Sequence, residues 1–136
     1  MKGNPMDIPA DLRFTKSHEW ARIEGDLCTV GISDFAVEEL NKEIVNVDLP
    51  EAGASVRQNE TFGVLDAVKA AFDLYAPMSG TVEAVNDAVL DDPTLVASGP
   101  YTTGWLVRIA ISDAAEAANL MDAATYQAHI ESESHS

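Results

Sequence analysis

Apolar positions along this chain fall mostly into short segments, several of them alternating with polar residues, separated by turn residues. That pattern predicts a β-rich fold. Residues 19–23 and 27–32 flank Glu24-Gly25-Asp26, whose glycine and acids punctuate a hairpin. Ser33 precedes Asp34 and the apolar set Phe35, Ala36, Val37 and Leu40, which predicts an N-capped helix ending near Leu40. In 44–49, Ile44, Asn46 and Asp48 alternate with Val45, Val47 and Leu49, as expected of a strand ended by Pro50. More strands are expected over 53–58, 61–68, 71–76 and 80–85, with turns at Asn59-Glu60, around Lys69 and at 77–80. The segments on either side of Lys69 resemble each other loosely, which suggests two hairpin-like halves meeting at the lysine.

Past Asn86, Asp92-Pro93 predicts a short helix through Val96, followed by a loop over 100–104 and a strand over 105–111. Ala, Glu, Met and Leu then predominate, and helices are expected at 113–120 and 123–131, the second capped by Asp122. Short strands at close spacing favour a sandwich or barrel over a βαβ fold. The organisation read from this is an irregular lead-in over 1–9, one domain over 10–130 and a frayed polar tail over 131–136.

Composition narrows the classes. A chain of 136 residues that is 46% hydrophobic can bury a core without disulfides or metal, and is not disordered throughout. Cys28 is the only cysteine, so an intrachain disulfide or a cysteine-based zinc site is excluded. The formal charge of −15 repels phosphate backbones and anionic lipid, so neither nucleic acid nor membrane is expected as a partner. No apolar run is long enough to cross a bilayer. Residues 1–57 hold six of the eight bases against 11 acids; residues 58–136 hold only Lys69 and Arg108 against 12 acids. One lysine thus stands alone within a long acidic half.

Enzymatic chemistry finds little support. His18, His129 and His135 lie far apart along the chain without metal-ligand spacing, so no metal is expected. There is no G-x-S-x-G and no phosphate-binding glycine loop, so no catalytic residues are assigned. Cys28, inside a strand, reads as a small buried hydrophobe. Lys69 differs: strand-like segments run into and away from it, its immediate neighbours are Val68 and Ala70, and Asp66 and Asp73 flank it. A lysine at the tip of a tight hairpin projects from the domain at a fixed position, which suits covalent modification. An ordinary snorkelling surface lysine is the alternative.

Val68–Ala71 with Asp73, Tyr75-Ala76-Pro77 and Ser79-Gly80 resembles the lipoyl-lysine hairpin of the glycine cleavage system H protein family. Ser17-His18-Glu19-Trp20, Val30-Gly31-Ile32, Val47-Asp48-Leu49-Pro50, Val85-Asn86, Pro100-Tyr101 and Gly104-Trp105 extend the resemblance, in order, over about 10–130. It implies a mainly β fold with short helices, a lipoyl/biotinyl-type barrel-sandwich hybrid with C-terminal helices. It also implies a carrier subunit rather than an enzyme, with lipoate amide-linked to Lys69. Such a carrier shuttles the aminomethyl group of glycine between glycine decarboxylase (P protein), aminomethyltransferase (T protein) and dihydrolipoyl dehydrogenase (L protein). A lipoate ligase or lipoyl transferase would load it, in a bacterial cytoplasm or in an organelle matrix after removal of a transit peptide. The positions matching the family's aminomethyl cleft are Ser17, Glu19 and Asp73.

The chain departs from the family pattern at Asp66-Ala67, Phe72, Lys42 and Asn46. These departures keep open an H-protein-like lipoate-binding protein that carries sulfur intermediates in a heterodisulfide-reductase-like sulfur oxidation pathway. A biotin carrier would have methionines beside the lysine, where this chain has Val68 and Ala70. An unmodified interaction domain is the remaining reading, and it predicts that Lys69→Arg changes nothing.

Overall fold

A computed structural model of the chain describes residues 8–39, 43–68 and 70–134. The anticipated helix end at Leu40, and Lys42, Lys69 and His135, lie outside the described residues. Nine strands form among those described: β1 (Arg13–Phe14), β2 (Glu19–Glu24), β3 (Leu27–Ile32), β4 (Ile44–Asp48), β5 (Ser55–Val56), β6 (Thr61–Ala67), β7 (Ala71–Tyr75), β8 (Gly80–Val85) and β9 (Val107–Ile111). They make a six-stranded sheet, β1-β2-β3-β9-β8-β5, and a three-stranded sheet, β4-β6-β7, with antiparallel pairing throughout. The mainly β architecture with short helices is therefore as expected. The sheets pack as a sandwich and do not close into a barrel.

Between them lies one apolar core, to which the larger sheet gives Ala21, Cys28, Val30 and Ile109 and the smaller gives Ile44, Val47, Leu65 and Leu74. Cys28 is the buried hydrophobe anticipated, and burial pushes its thiol up to about 12. The β2–β3 hairpin closes through Gly25-Asp26, where Gly25 adopts a φ of +63° that a side chain would strain. Ser33 caps helix α1 (Asp34–Glu39): its Oγ accepts from Ala36 N–H at 3.2 Å.

Several segments differ from expectation for physical reasons. Strict alternation in β4 fails because its register to β6 slips between Ile44 and Asn46. The bulge turns Val45 outward, 55% exposed, so that Ile44 and Val47 both reach the core. β5 is only two residues long, because only Ser55 and Val56 find partners, in β8. It lies with β8 outside the β6–β7 hairpin, so the two halves suggested around Lys69 are nested pairings. β1 went unanticipated; Phe14 pairs with Trp20 there and bridges to Met121.

Asn86 caps an unanticipated helix, α2 (Asp87–Asp91), by accepting from Ala88 N–H. The predicted helix forms as α3 (Thr94–Ser98), but its N-cap is Pro93 rather than Asp92; the Asp92 carboxylate accepts from Thr94 N–H at 3.2 Å just ahead of it. The segment expected as a helix over 113–120 is a 3₁₀ helix, Ala114–Asn119. Its six residues include no buried side chain, so little packing holds it in the wider α geometry. Asp122 accepts from Thr125 N–H at the start of the final helix, α4 (Ala123–Ser134).

α4 covers part of the outer face of the large sheet with a second apolar cluster. Leu12, Phe14, Trp20, Phe35, Tyr101, Tyr126 and Ile130 form it, and Phe14 stacks on Tyr126 at 4.3 Å between ring centroids. Gly31 makes room for Trp20: a Cβ there would lie 2.6 Å from the indole ring.

Candidate functional site

The turn over 15–18 enters β2 and brings polar groups to the end of the sandwich where β7, an edge strand of the small sheet, passes close by. Backbone N–H to O bonds link His18 to Thr15 and Thr15 to Glu19, and fold this turn. His18 sits at a φ of +79°, held by a 2.8 Å hydrogen bond between its Nδ1 and the Tyr126 hydroxyl. The turn is thereby fixed both to β2 and to α4.

Glu19 follows it and is 1% exposed. Its Oε1 accepts from the hydroxyls of Thr15 at 2.5 Å and Ser17 at 2.6 Å, and its Oε2 accepts from the backbone N–H of Tyr75 at 3.0 Å. Burial raises the carboxyl above its usual value near 4.5, and the Ser17, Thr15 and Tyr75 donors offset this only in part. Glu19 therefore bridges the two sheets by a side-chain bond from β2 to the edge of β7.

Beside this bridge opens a cleft of about 440 Å³. Ile32, Ala36, Leu65, Phe72 and Leu74 give it apolar walls, and Lys16, Ser17, Glu19 and Asp73 contribute polar groups. Three of the four residues singled out from the sequence thus line one cleft: Ser17, Glu19 and Asp73. The first two are hydrogen-bonded to each other, whereas Asp73 is exposed on β7, paired with Val64 and two residues before Tyr75. The fourth, Lys69, is outside the described residues; on either side of its position the chain is paired, with Asp66 opposite Ala71 and Ala67 N–H donating to Ala70 O at 2.8 Å.

Sequence reasoning missed Thr15 and the Tyr75 backbone. The signal for Thr15 was a hydroxyl in the same turn as Ser17, four residues before a carboxylate that proves buried. The histidines, remote along the chain, also approach: the rings of His18, in the 15–18 turn, and His129, on α4, lie 5.7 Å apart. The fold brings together what the chain separates. Even so, no group of three or more His, Cys, Asp or Glu fit to hold a metal occurs among the described residues.

Two of the departures prove to be partners. Asn46 faces Asp66 in the β4–β6 register and its Nδ2 donates to Asp66 Oδ2 at 3.2 Å. The amide and the acid thus match each other across the two strands. Phe72 is 46% exposed and lines the cleft wall.

Comparison with known proteins agrees with this geometry. The family model for the glycine cleavage H-protein matches residues 12–133. The glycine cleavage system H protein of Cyanothece sp. is 47% identical over 126 residues, covering 93% of this chain and 97% of that protein. That of Salmonella typhimurium is 49% identical over 128 residues, covering 93% and 98%. The crystal structure of the H protein from Mycobacterium marinum superposes with a TM-score of 0.84 at 38% identity, over 91% of this chain and 99% of that one. None of these proteins is named for sulfur oxidation, and nothing supports that alternative. A chain so matched along almost its whole length, with the same architecture, belongs to the glycine cleavage H-protein family.

Proposed function

We propose that this chain is the lipoyl carrier of a glycine cleavage system, with lipoate in amide linkage to Lys69. The observation that carries the reading is the cleft beside the β6–β7 hairpin, in a chain that belongs to this family. Its apolar walls suit an aliphatic arm, and its polar end, at Ser17 and the buried Glu19, suits a cationic terminus. When bound, lipoate supplies a dithiolane that accepts an aminomethyl group and is later returned to its disulfide by oxidation.

The chain's own residues contribute placement and protection. Strands β6 and β7 are paired up to Asp66 and Ala71, on either side of position 69. Ile32, Leu65, Phe72 and Leu74 exclude water from the cleft walls. Glu19, assisted by Ser17, offers a carboxylate to an ammonium group, and Asp73, exposed on the strand that Glu19 bonds to, adds a second negative charge nearby. The chain itself catalyses no step. Its partners are glycine decarboxylase, aminomethyltransferase and dihydrolipoyl dehydrogenase, with a lipoate ligase or transferase to load it, in a bacterial cytoplasm. No helix among the described residues is long and apolar enough to cross a membrane.

The test is reconstitution. The lipoylated protein, mixed with those three enzymes, glycine, tetrahydrofolate and an oxidised nicotinamide that takes the two electrons of the dihydrolipoyl group through the dehydrogenase, is expected to release carbon dioxide and ammonia. The unlipoylated protein is expected to support neither. Full lipoylation without any turnover would sink the reading.

A further inference from the structure

Glu19 is the acid proposed to receive a cationic cargo, but it does not hold itself in place. A carboxylate has about four lone-pair sites, two on each oxygen. Oε1 already receives two hydroxyl donors, from Thr15 and Ser17, and Oε2 receives only the Tyr75 N–H. The remaining acceptor site is therefore on Oε2, the oxygen bonded to the cleft-lining strand β7.

Thr15 and Ser17 do not hold Oε1 equally. Thr15 is 6% exposed, and its hydroxyl is engaged twice by the same residue: it donates to Glu19 Oε1 at 2.5 Å and accepts from Glu19 N–H at 3.0 Å. The residue's backbone is fixed as well, with Thr15 N–H donating to Glu19 O at 2.9 Å and His18 N–H donating to Thr15 O at 3.1 Å. Thr15 thus grips Glu19 at backbone and side chain together. Ser17 sits on the cleft wall itself and touches Glu19 only at Oε1. Its hydroxyl also lies 3.2 Å from that of Thr15, and Thr15 itself is not among the residues lining that cleft.

We propose that Thr15 is a positioning residue for cargo capture: its hydroxyl fixes Oε1, so that the open site on Oε2 meets the cationic group entering the cleft. The inference rests on the lipoyl-carrier reading for the identity of the cargo, but its structural half does not. A hydroxyl donated to a carboxylate stabilises the ionised form against burial. Removing that donor leaves a desolvated acid with one hydroxyl instead of two, and the acid then takes up a proton at higher pH. A protonated Glu19 no longer attracts an ammonium by charge.

Three variants test this, Thr15→Val, Thr15→Ser and Glu19→Gln. The unlipoylated full chain, labelled with ¹³C at glutamate carboxyls, is titrated by NMR, and the Glu19 signal is assigned by its loss in Glu19→Gln. In Thr15→Val the Glu19 midpoint is expected to rise by about one pH unit. Thr15→Ser, which keeps the donor, is expected to bring it back. An unmoved midpoint in folded Thr15→Val overturns the proposal, and so does a Thr15→Ser variant that behaves like Thr15→Val. Should Thr15→Val fail to fold, Thr15→Ser decides against Thr15→Ala, with the same expected displacement between them.

The second readout is loss of amine from the loaded, lipoylated protein as pH falls. Its half-point is expected to move upward with the Glu19 midpoint in Thr15→Val and to recover in Thr15→Ser. A displaced Glu19 midpoint with an unchanged amine-loss profile overturns the role in capture. A chain that accepts no lipoyl group overturns the carrier reading instead, while the NMR titration still reports whether Thr15 holds Glu19.

Discussion

The two sheets share one core but differ on their other faces. Part of the outer face of the six-stranded sheet is covered: α4 and the loop carrying Tyr101 cover Phe14, Trp20 and Phe35 with a second apolar layer. The three-stranded sheet is packed on one face only. Across its open face run Asp48, Val64 and Asp73 in one row and Asn46, Asp66 and Ala71 in the next. No Lys or Arg lies within β4, β6 or β7. The covered sheet is buried on both faces where α4 packs, and the half-open one borders the cleft through β6 and β7. The two sheets divide the work. A carrier that must offer one lysine to several enzymes needs a firm base, and an edge that is not already buried.

The largest effect should come from breaking the covered side. Phe14 is wholly buried and stacked on Tyr126, so Phe14→Ala should cost about 3–5 kcal/mol in urea unfolding. Asp48→Asn, on the open face, should stay within about 0.5 kcal/mol. Equal costs for the two would dissolve the contrast between the sheets.

Next comes the bridge that joins them. The Glu19 carboxyl is raised in the folded chain, so between its usual value near 4.5 and the raised value the folded state holds more protons than the unfolded one. The stability it contributes therefore falls as pH rises through that window. Glu19→Gln has no such titration. Its stability relative to the parent should improve from about pH 4 to about pH 7, by about 1.4 kcal/mol per pH unit of displacement. Urea unfolding at both pH values checks this, and a gap that widened with pH would reverse the assignment.

A smaller effect is expected at the cleft wall. Phe72→Ser removes a half-exposed ring, so it should change stability by less than about 1 kcal/mol. It should raise the rate of glycine cleavage in the reconstituted system by opening the wall. An unchanged rate would mean that the ring is neutral. Smallest is the Asn46–Asp66 pair on the open face. A double-mutant cycle to alanine should give a coupling of about 0.2–1 kcal/mol. No coupling would show that the 3.2 Å contact contributes nothing.

Local chemistry made much of this legible in the sequence. The Gly25 turn, the Ser33 cap and the Asp122 cap are signals held within four residues, and each proved to be where the pattern put it. The bulge at Val45 was not legible, because alternation in one strand says nothing about the partner's register. β1 was missed because two residues give no period, and Phe14 is fixed by Trp20 and α4 rather than by its neighbours. Of the cleft, Ser17, Glu19 and Asp73 came from resemblance to a family. Periodicity alone would have made Glu19 an ordinary exposed acid. The backbone N–H of Tyr75, 56 residues away, has no sequence signature, and Thr15 gained meaning only once Glu19 was seen to be buried. The acidic bias that first set Lys69 apart remains a separate property, which the open face expresses as three aspartates around the cleft-bearing strands.

The proposed carrier role stands or falls on a lipoyl group at Lys69. The direct measurement is intact mass with peptide fragmentation, on protein from its native host and on protein treated with lipoate ligase, lipoate and ATP. One lipoyl group is predicted, on Lys69, with none in Lys69→Arg. A native protein with unmodified Lys69, or a lipoyl group found on another lysine, would contradict the account.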